Sequence, residues 1–351
     1  MKILVVFCTI RHNRSLQSYA ENFRQFEHNP DVLIVDETAE LRKEISKTFN
    51  DCNVEYYGAK ERLEWLQRNN IKPAIIPSKF KEEVSFAFLV AHKRKYDMIA
   101  VFDDDTFCFS DFDILAEHYN CLFKTQMPIV SSSNSWINPY PGPAYARGYP
   151  YKCRSQKNNL IPSGSSAQGT VLNLGLWLGV PDLNAIDYLY HGSLTGTTIF
   201  QCNPNFSSFI AQKNNFLPIC GMNIAFQPKI IPAFYQLPNK QLSRFGDIFS
   251  GYFLKKIADQ LGDNISFGPP LCRHDKAPRD IFLDIESEKE SLRFNETLCQ
   301  VLPNLKVQGS SYADCYGSLA EELLAKRELF HNPRYVKLLA TSMKYWSNLL
   351  R

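Results

Sequence analysis

The sequence predicts an α/β fold, with a mostly parallel, Rossmann-like central sheet flanked by helices and a helical region at the C-terminal end. Three observations carry this. In the first third of the chain, short apolar and β-branched runs alternate with segments of helical spacing. One apolar run, Met98 to Phe102, ends abruptly in three carboxylates, Asp103, Asp104 and Asp105. From Asp284 on, charged helix-forming residues dominate through Leu350.

The elements follow in order. Residues 2–9 are apolar and β-branched and predict a first strand, with Thr9-Ile10-Arg11-His12-Asn13 as its loop. Residues 31–36 predict a second buried strand, again ending on acids, Asp36 and Glu37. Residues 39–48 read as a helix, 53–57 as a third strand and 59–67 as a helix. Over residues 80–95, Phe80, Val84, Phe88 and Ala91 recur every three or four positions, the spacing of one helix face. The run into Asp103 is the central strand. Residues 111–124 predict a helix and 128–133 a strand. The stretch 138–166 is rich in Pro, Gly, Tyr and Ser and reads as a lid or binding loop, being too long for a plain connection. Residues 170–180 and 216–226 predict strands and 247–262 a helix. Tyr312, Tyr316, Leu319 and Leu323 keep helical spacing further on. The expected organisation is a catalytic domain over 1–283 with a helical region, 284–351, packed on it.

Composition narrows the function classes. The 351 residues are 44% hydrophobic and 21% charged, ordinary for a globular protein. A net charge of +3 speaks neither for nucleic acid nor for an anionic membrane surface. No run of 18 apolar residues is present, so no membrane span is expected. The ten cysteines are scattered without a Cys-x-x-Cys pair, against a zinc site or a disulfide framework. With no cleavage site after the first apolar stretch, a cytoplasmic location is expected. No Gly-x-Gly-x-x-Gly follows the first strand, against a nicotinamide or flavin cofactor.

Chemistry concentrates at the carboxylate triplet. Asp is a poor strand residue, so the strand stops there and holds the acids at its tip. Ligands of open α/β sheets bind outside the carboxyl ends of strands. Alternate residues of an extended chain face one way, so Asp103 and Asp105 can converge on one cation while Asp104 points elsewhere. Three adjacent carboxylates repel one another and call for that cation. A turn or a helix cap built from Asp is the alternative. Arg147 and Arg154, in the Gly/Pro/Tyr-rich stretch, are natural diphosphate clamps because guanidinium donates bidentately to phosphate. Arg11 is a second clamp candidate, or a solvated loop residue. Asp247 is a candidate base, or the cap of the helix beside it. Trp177 and Cys220 lie in apolar runs and read as core.

Five blocks share one order: Val101 to Asp105, Ala146-Arg147-Gly148-Tyr149-Pro150, Gly175 to Asp182, Leu217 to Phe226, and Arg244-Phe245-Gly246-Asp247. This order resembles the reversibly glycosylated polypeptides, the family of plant UDP-arabinopyranose mutases. Thr9-Ile10-Arg11 is similar to that family's first loop, and the resemblance spans roughly residues 3–345. It implies a glycosyltransferase-A-like fold, a nucleotide-sugar substrate and a divalent cation, Mn2+ or Mg2+. It implies metal ligation by Asp103, Asp105 and His274, the last of which the residues alone equally allow as a surface loop histidine, and nucleotide-sugar binding by Thr9, Arg11, Asp36, Asp104 and Asn223. Arg147, Arg154 and Asp247 become the catalytic candidates, with Arg147 at the family's self-glycosylated arginine. The chain departs from the pattern at Asp36-Glu37-Thr38, where the family has Asp-Gly-Asp. Asp247 stands where the family pairs two acids, and residues 197–208 look inserted.

The expected function is interconversion of the pyranose and furanose forms of a nucleotide sugar through a glycosyl-arginine intermediate. A UDP-sugar is the first candidate partner, with GDP- and dTDP-sugars as alternatives. A homo-oligomer is compatible with the sequence. The rival readings are a metal-dependent glycosyltransferase of the same fold and a non-catalytic nucleotide-sugar-binding partner subunit.

Overall fold

The structure is a computed structural model that describes residues 1–351 apart from 10–13, 38–40, 77–82, 141–142, 156–159, 198–206 and 238–243, and apart from the side chains of 270 and 271. Arg11 and most of the inserted-looking segment 197–208 therefore lie outside the described residues.

Among the described residues eleven strands form one sheet: β1 (Ile3–Thr9), β2 (Asp31–Asp36), β3 (Asn53–Tyr57), β4 (Met98–Asp103), β5 (Thr106–Cys108), β6 (Gln126–Ser132), β7 (Leu160–Gln168), β8 (Leu172–Gly179), β9 (Phe209–Ala211), β10 (Asn223–Phe226) and β11 (Ile265–His274). Their order is β3-β2-β1-β4-β10-β8-β11-β9-β6-β7, with β5 paired to β11. Strands β3, β2, β1 and β4 are parallel. Strand β10 runs against both β4 and β8, so β8 recovers the common direction, and β11 is parallel to β8. The carboxyl ends of β1, β2, β4, β8 and β11 thus share one edge of the sheet, where Thr9, Asp36, Asp103, Gly179 and His274 stand.

The helices are α1 (Arg14–Gln25), α2 (Arg42–Thr48), α3 (Ala59–Arg68), α4 (Val84–His92), α5 (Ile114–Phe123), α6 (Tyr151–Arg154), α7 (Ala185–Tyr190), α8 (Gly246–Leu261), α9 (Ile281–Val301), α10 (Tyr312–Ala325) and α11 (Pro333–Leu349). They cover both faces of the parallel half, which is why β1, β2 and β4 are apolar throughout rather than alternating. One face packs Phe7, Tyr19, Phe49 and Phe102 together. On the other, Leu4, Val6, Phe86 and Phe88 join a larger cluster. That cluster continues into the C-terminal helices, where Trp346 stacks on Tyr235 at 4.8 Å and its indole N–H donates to the Ile231 carbonyl at 3.0 Å. No helix among the described residues is long and apolar enough to cross a membrane.

The architecture is the α/β one the sequence predicts, with local differences. Helix α1 was not anticipated, although Leu16, Tyr19, Ala20 and Phe23 are buried at helical spacing. The stretch 138–166 contains the short helix α6 and most of β7, an exposed strand on β6 whose Pro162 and Gly164 conceal it from a propensity reading. The strand expected over 216–226 is confined to Asn223–Phe226, because Leu217 to Met222 enter no ladder. Trp177 and Cys220 are core, 3% exposed each.

Candidate functional site

Strand β4 is buried from Met98 to Phe102 and emerges at Asp103. The three acids then diverge. Asp104 turns back into the fold: its Oδ2 accepts from Thr9 Oγ1 at 3.0 Å and its carbonyl from Ser15 Oγ at 2.7 Å. Asp105 faces the end of β11, where its Oδ2 lies 3.6 Å from His274 Nε2. The Asp275 amide donates to the Asp105 carbonyl at 3.0 Å and fastens the two segments. His274 Nδ1 donates to the Val180 carbonyl oxygen at 2.7 Å, which leaves Nε2 for Asp105. Burial disfavours the imidazolium, but the hydrogen bond and charge of Asp105 outweigh it and raise the His274 pKa.

This pair fits a divalent cation. A ligating histidine characteristically donates its second ring N–H to a carbonyl, which aims the other nitrogen at the metal, and a carboxylate beside it supplies oxygen. Asp103 ends β4 two positions before Asp105, with its amide donating to the Met222 carbonyl at 3.0 Å. Among the described residues no three His, Cys, Asp or Glu side chains form a ready-made cage.

Arg147 leads a turn at the far end of the loop that follows β6. It is 6% exposed, and each of its three guanidinium nitrogens meets an acceptor. Its Nε donates to Asp182 Oδ2 at 2.8 Å, Nη2 to Asp247 Oδ2 at 3.0 Å and Nη1 to Asp247 Oδ1 at 3.2 Å. Nη1 also donates to the Arg244 carbonyl, and the Arg147 amide to the Asp182 carbonyl at 2.8 Å. Burial opposes the guanidinium charge, yet Asp182 and Asp247 overcome it and hold the Arg147 pKa well above its ordinary value. In return burial works against ionisation of Asp182, and Arg147, then Lys276, His274 and Arg244, keep its pKa at about 2. Arg244 has φ of +66°, in the left-handed region, a conformation tolerated where surroundings impose it. That turn offers its carbonyl to Arg147 while its side chain goes to Asp284 and Glu288 of α9.

Gly148 is required for a reason other than approach to a ligand. Its φ is +91°, and a Cβ there would stand 2.5 Å from Ile248 Cγ2 and 2.9 Å from the Tyr252 hydroxyl. The Gly148 amide donates to Asn184 Oδ1 at 3.0 Å, and its carbonyl accepts from Tyr252 at 2.7 Å and Asn295 at 2.9 Å. Asn184 Nδ2 in turn donates to Asp187 at 3.1 Å. Asp187 grips Arg154 bidentately, at 2.6 and 2.8 Å, and Arg154 lies 3.7 Å over the Tyr151 ring. The two arginines are thus held by one acidic segment, Asp182 and Asp187, through Asn184.

Asp247 sits in the first turn of α8 and does not cap it; Phe245 holds the cap position. Its Oδ2 also accepts from the Gly221 amide at 3.2 Å. Asp36 is fully buried at the end of β2 and accepts from the Tyr56 hydroxyl and from the Leu41 amide at 3.2 Å. Asn223 is also fully buried; its Oδ1 accepts from His118 Nε2 at 2.8 Å and its Nδ2 donates to the Leu176 carbonyl at 3.3 Å. The structure therefore brings Thr9 to Asp104, Asp105 to His274 and Arg147 to Asp247, and leaves Asn223 inside the core.

Four participants had no role assigned from the sequence: Asp182, Asp187, Arg244 and Lys276. Asp182 had a signal, because it ends the apolar run of β8 as Asp103 ends that of β4. Lys276 is buried; burial, then the nearby Arg244 charge, push its pKa down to about 8.

Comparison with known proteins places this chain. Probable UDP-arabinopyranose mutase 4 of Arabidopsis thaliana is 27% identical over 273 residues, covering 74% of this chain and 68% of that protein. UDP-arabinopyranose mutase 1 of Arabidopsis thaliana is 27% identical over 301 residues, covering 81% of this chain and 78% of that protein. Among solved structures, glucosyl-3-phosphoglycerate synthase from Mycobacterium tuberculosis with Mn2+, UDP and glucosyl-3-phosphoglycerate aligns at a TM-score of 0.42 and 10% identity, over 88% of this chain and 82% of that one. A family model described as "Reversibly glycosylated polypeptide" matches residues 2–351, and the chain belongs to that family.

Proposed function

We propose that this protein is a nucleotide-sugar mutase that interconverts pyranose and furanose forms, with a UDP-sugar as substrate and Arg147 as the transient sugar acceptor. The family match over residues 2–351 carries the reading, together with relatives named for UDP-arabinopyranose mutase activity. The contact of Asp247 with both Nη atoms of Arg147 supports its assignment as the base. A divalent cation held by Asp103, Asp105 and His274 would neutralise the nucleotide diphosphate as it leaves.

A protonated guanidinium is a poor nucleophile, so a bond from Arg147 to the anomeric carbon requires loss of one N–H proton. Asp247 already accepts from both Nη atoms and is the base within reach. In the forward step the bond from the anomeric carbon to the diphosphate oxygen breaks, with its electron pair leaving on the diphosphate. The bond from Nη to the anomeric carbon forms, and the Nη proton passes to Asp247. Asp182 keeps Nε engaged and fixes the plane of the group. The ring opens and recloses on Arg147, and the diphosphate attacks again. The covalent intermediate divides one hard rearrangement into easier steps. Arg154, stacked on Tyr151, shapes the neighbouring loop, and Thr9 holds Asp104 so that the turn presents Asp105.

The saturation of Arg147 by two carboxylates also favours a second reading, in which it is a fixed structural cation and the enzyme transfers the sugar to a separate acceptor. One experiment separates them. The pure protein is incubated with UDP-, GDP- and dTDP-sugars plus Mn2+, products are read by NMR, and the protein by intact-mass spectrometry. The mutase reading expects a new isomer from donor alone and a sugar-sized adduct mapping to Arg147. Arg147→Lys should bind nucleotide yet give no isomer. An active wild-type protein that never carries the adduct, even when quenched early, overturns the acceptor role.

A further inference from the structure

We propose that Lys276 is a diphosphate-binding residue, a cationic contact to the phosphate oxygens of the donor; the inference rests on the nucleotide-sugar reading above. Lys276 follows His274 by two positions, at the carboxyl end of β11. It is 8% exposed, and its Nζ lies 4.0 Å from the centroid of the Tyr188 ring. The Nζ is fully buried and has no hydrogen-bond partner among the described residues.

A buried ammonium without an acceptor is costly, and native structures rarely leave one so. The carboxylates around it are committed elsewhere. Asp182 is engaged by Arg147 Nε at 2.8 Å, and Asp284 by Arg244 and by Arg279 Nη2 at 2.9 Å. The Tyr188 face attracts the cation but offers no oxygen, and the Tyr188 hydroxyl instead donates to the Pro181 carbonyl at 2.5 Å. Gly196 lies beside the ammonium without crowding it, since even a Cβ there would make only ordinary contact at 3.6 Å.

Position points to the anion. The Asp275 amide donates to the Asp105 carbonyl at 3.0 Å, so the backbone that carries Lys276 leaves the β11 end directly beside the Asp105–His274 pair. A donor whose diphosphate meets a cation on Asp105 and His274 would bring phosphate oxygens to this neighbourhood. Lysine serves there as a compact point charge with three donors.

The test is calorimetric binding of UDP and of uridine, each with Mn2+, to the wild type, Lys276→Met and Lys276→Arg, with GDP and dTDP also titrated into the wild type and melting temperatures recorded alongside. Lys276→Met should weaken UDP binding by about 10- to 100-fold, the usual worth of a charged hydrogen bond. Uridine binding should stay unchanged, and Lys276→Arg should recover part of the loss. The Met variant should melt no lower than the wild type, whereas a lysine with a purely structural role would leave it less stable. If the Met variant fails to fold, Lys276→Gln carries the same comparison. A wild type that binds UDP while the neutral variant binds it equally well overturns the role of Lys276 and spares the nucleotide-sugar reading. A wild type that binds none of UDP, GDP and dTDP overturns both.

Discussion

Asp247 meets the guanidinium of Arg147 with both carboxylate oxygens, Oδ2 3.0 Å from Nη2 and Oδ1 3.2 Å from Nη1. Both side chains are buried, at 7% and 4% exposure. Removing one member of such a pair leaves the other charge buried and uncompensated. Asp247→Ala should therefore lower the unfolding free energy by about 3–5 kcal/mol, and it also strips an acceptor from the Gly221 amide. Asp247→Asn should cost less and still abolish turnover, because an amide cannot take the proton. Urea denaturation combined with single-turnover assays checks both outcomes.

Gly148 separates backbone demand from chemistry. Gly148→Ala must adopt φ near +91° and push a methyl into Ile248 and Tyr252. A destabilisation of about 1–3 kcal/mol is expected, with Arg147 displaced from its acids. A melting curve that matches the wild type would show that the turn relaxes freely.

His118 makes stability depend on pH. It is fully buried, its Nε2 donates to Asn223 and its Nδ1 accepts from Asn173 Nδ2 at 3.1 Å. Burial pushes its pKa down to about 4, against the bond to Asn223, which raises it. The unfolded imidazole titrates near 6.5, so between those values the unfolded chain binds the extra proton. The contribution is complete above about pH 6.5 and is lost as pH falls through about 4, for roughly 3 kcal/mol in total. His118→Gln does not titrate and should show a flatter decline of unfolding free energy from pH 7 to 4. Parallel curves for the two proteins would contradict the assignment.

Asp105→Asn tests the cation site. The variant keeps its size but removes the charge facing His274 Nε2, 3.6 Å away. Mn2+ affinity, followed by electron paramagnetic resonance in the presence of UDP, should fall by at least about 10-fold. The fold should persist, because Asp105 is partly exposed at a strand tip. Full activity of this variant in EDTA would remove the metal from the mechanism.

Much of the parallel half was legible along the chain. The runs that became β1, β2 and β4 are short, β-branched and uniformly apolar, as strands buried on both faces are. Their ends were equally plain, because an acid cannot continue into such a core without a partner. Helix α1 went unread, although Leu16, Tyr19, Ala20 and Phe23 carry its spacing. By contrast β7 carries Pro162 and Gly164 and exists because β6 offers it a ladder. Strand β10 starts at Asn223 because pairing with β4 starts there, and pairing with β8 starts one residue later, at Ile224.

Within the site, the residue types and their delivery points could be read along the chain: Thr9, Asp36 and the 103–105 triplet at strand ends, and Arg147 in its long loop. The tertiary structure alone decided the partners. Arg147 finds Asp182 at a separation of 35 positions and Asp247 at 100, and Asp105 finds His274 across the sheet. It also turned Asn223 inward and left the Lys276 ammonium buried without an acceptor among the described residues. The physical reason is one of range. Apolar periodicity reports burial locally, because each side chain meets solvent or core on its own. Charge pairing and its effect on pKa depend on distances of a few ångströms between groups that the chain order does not relate.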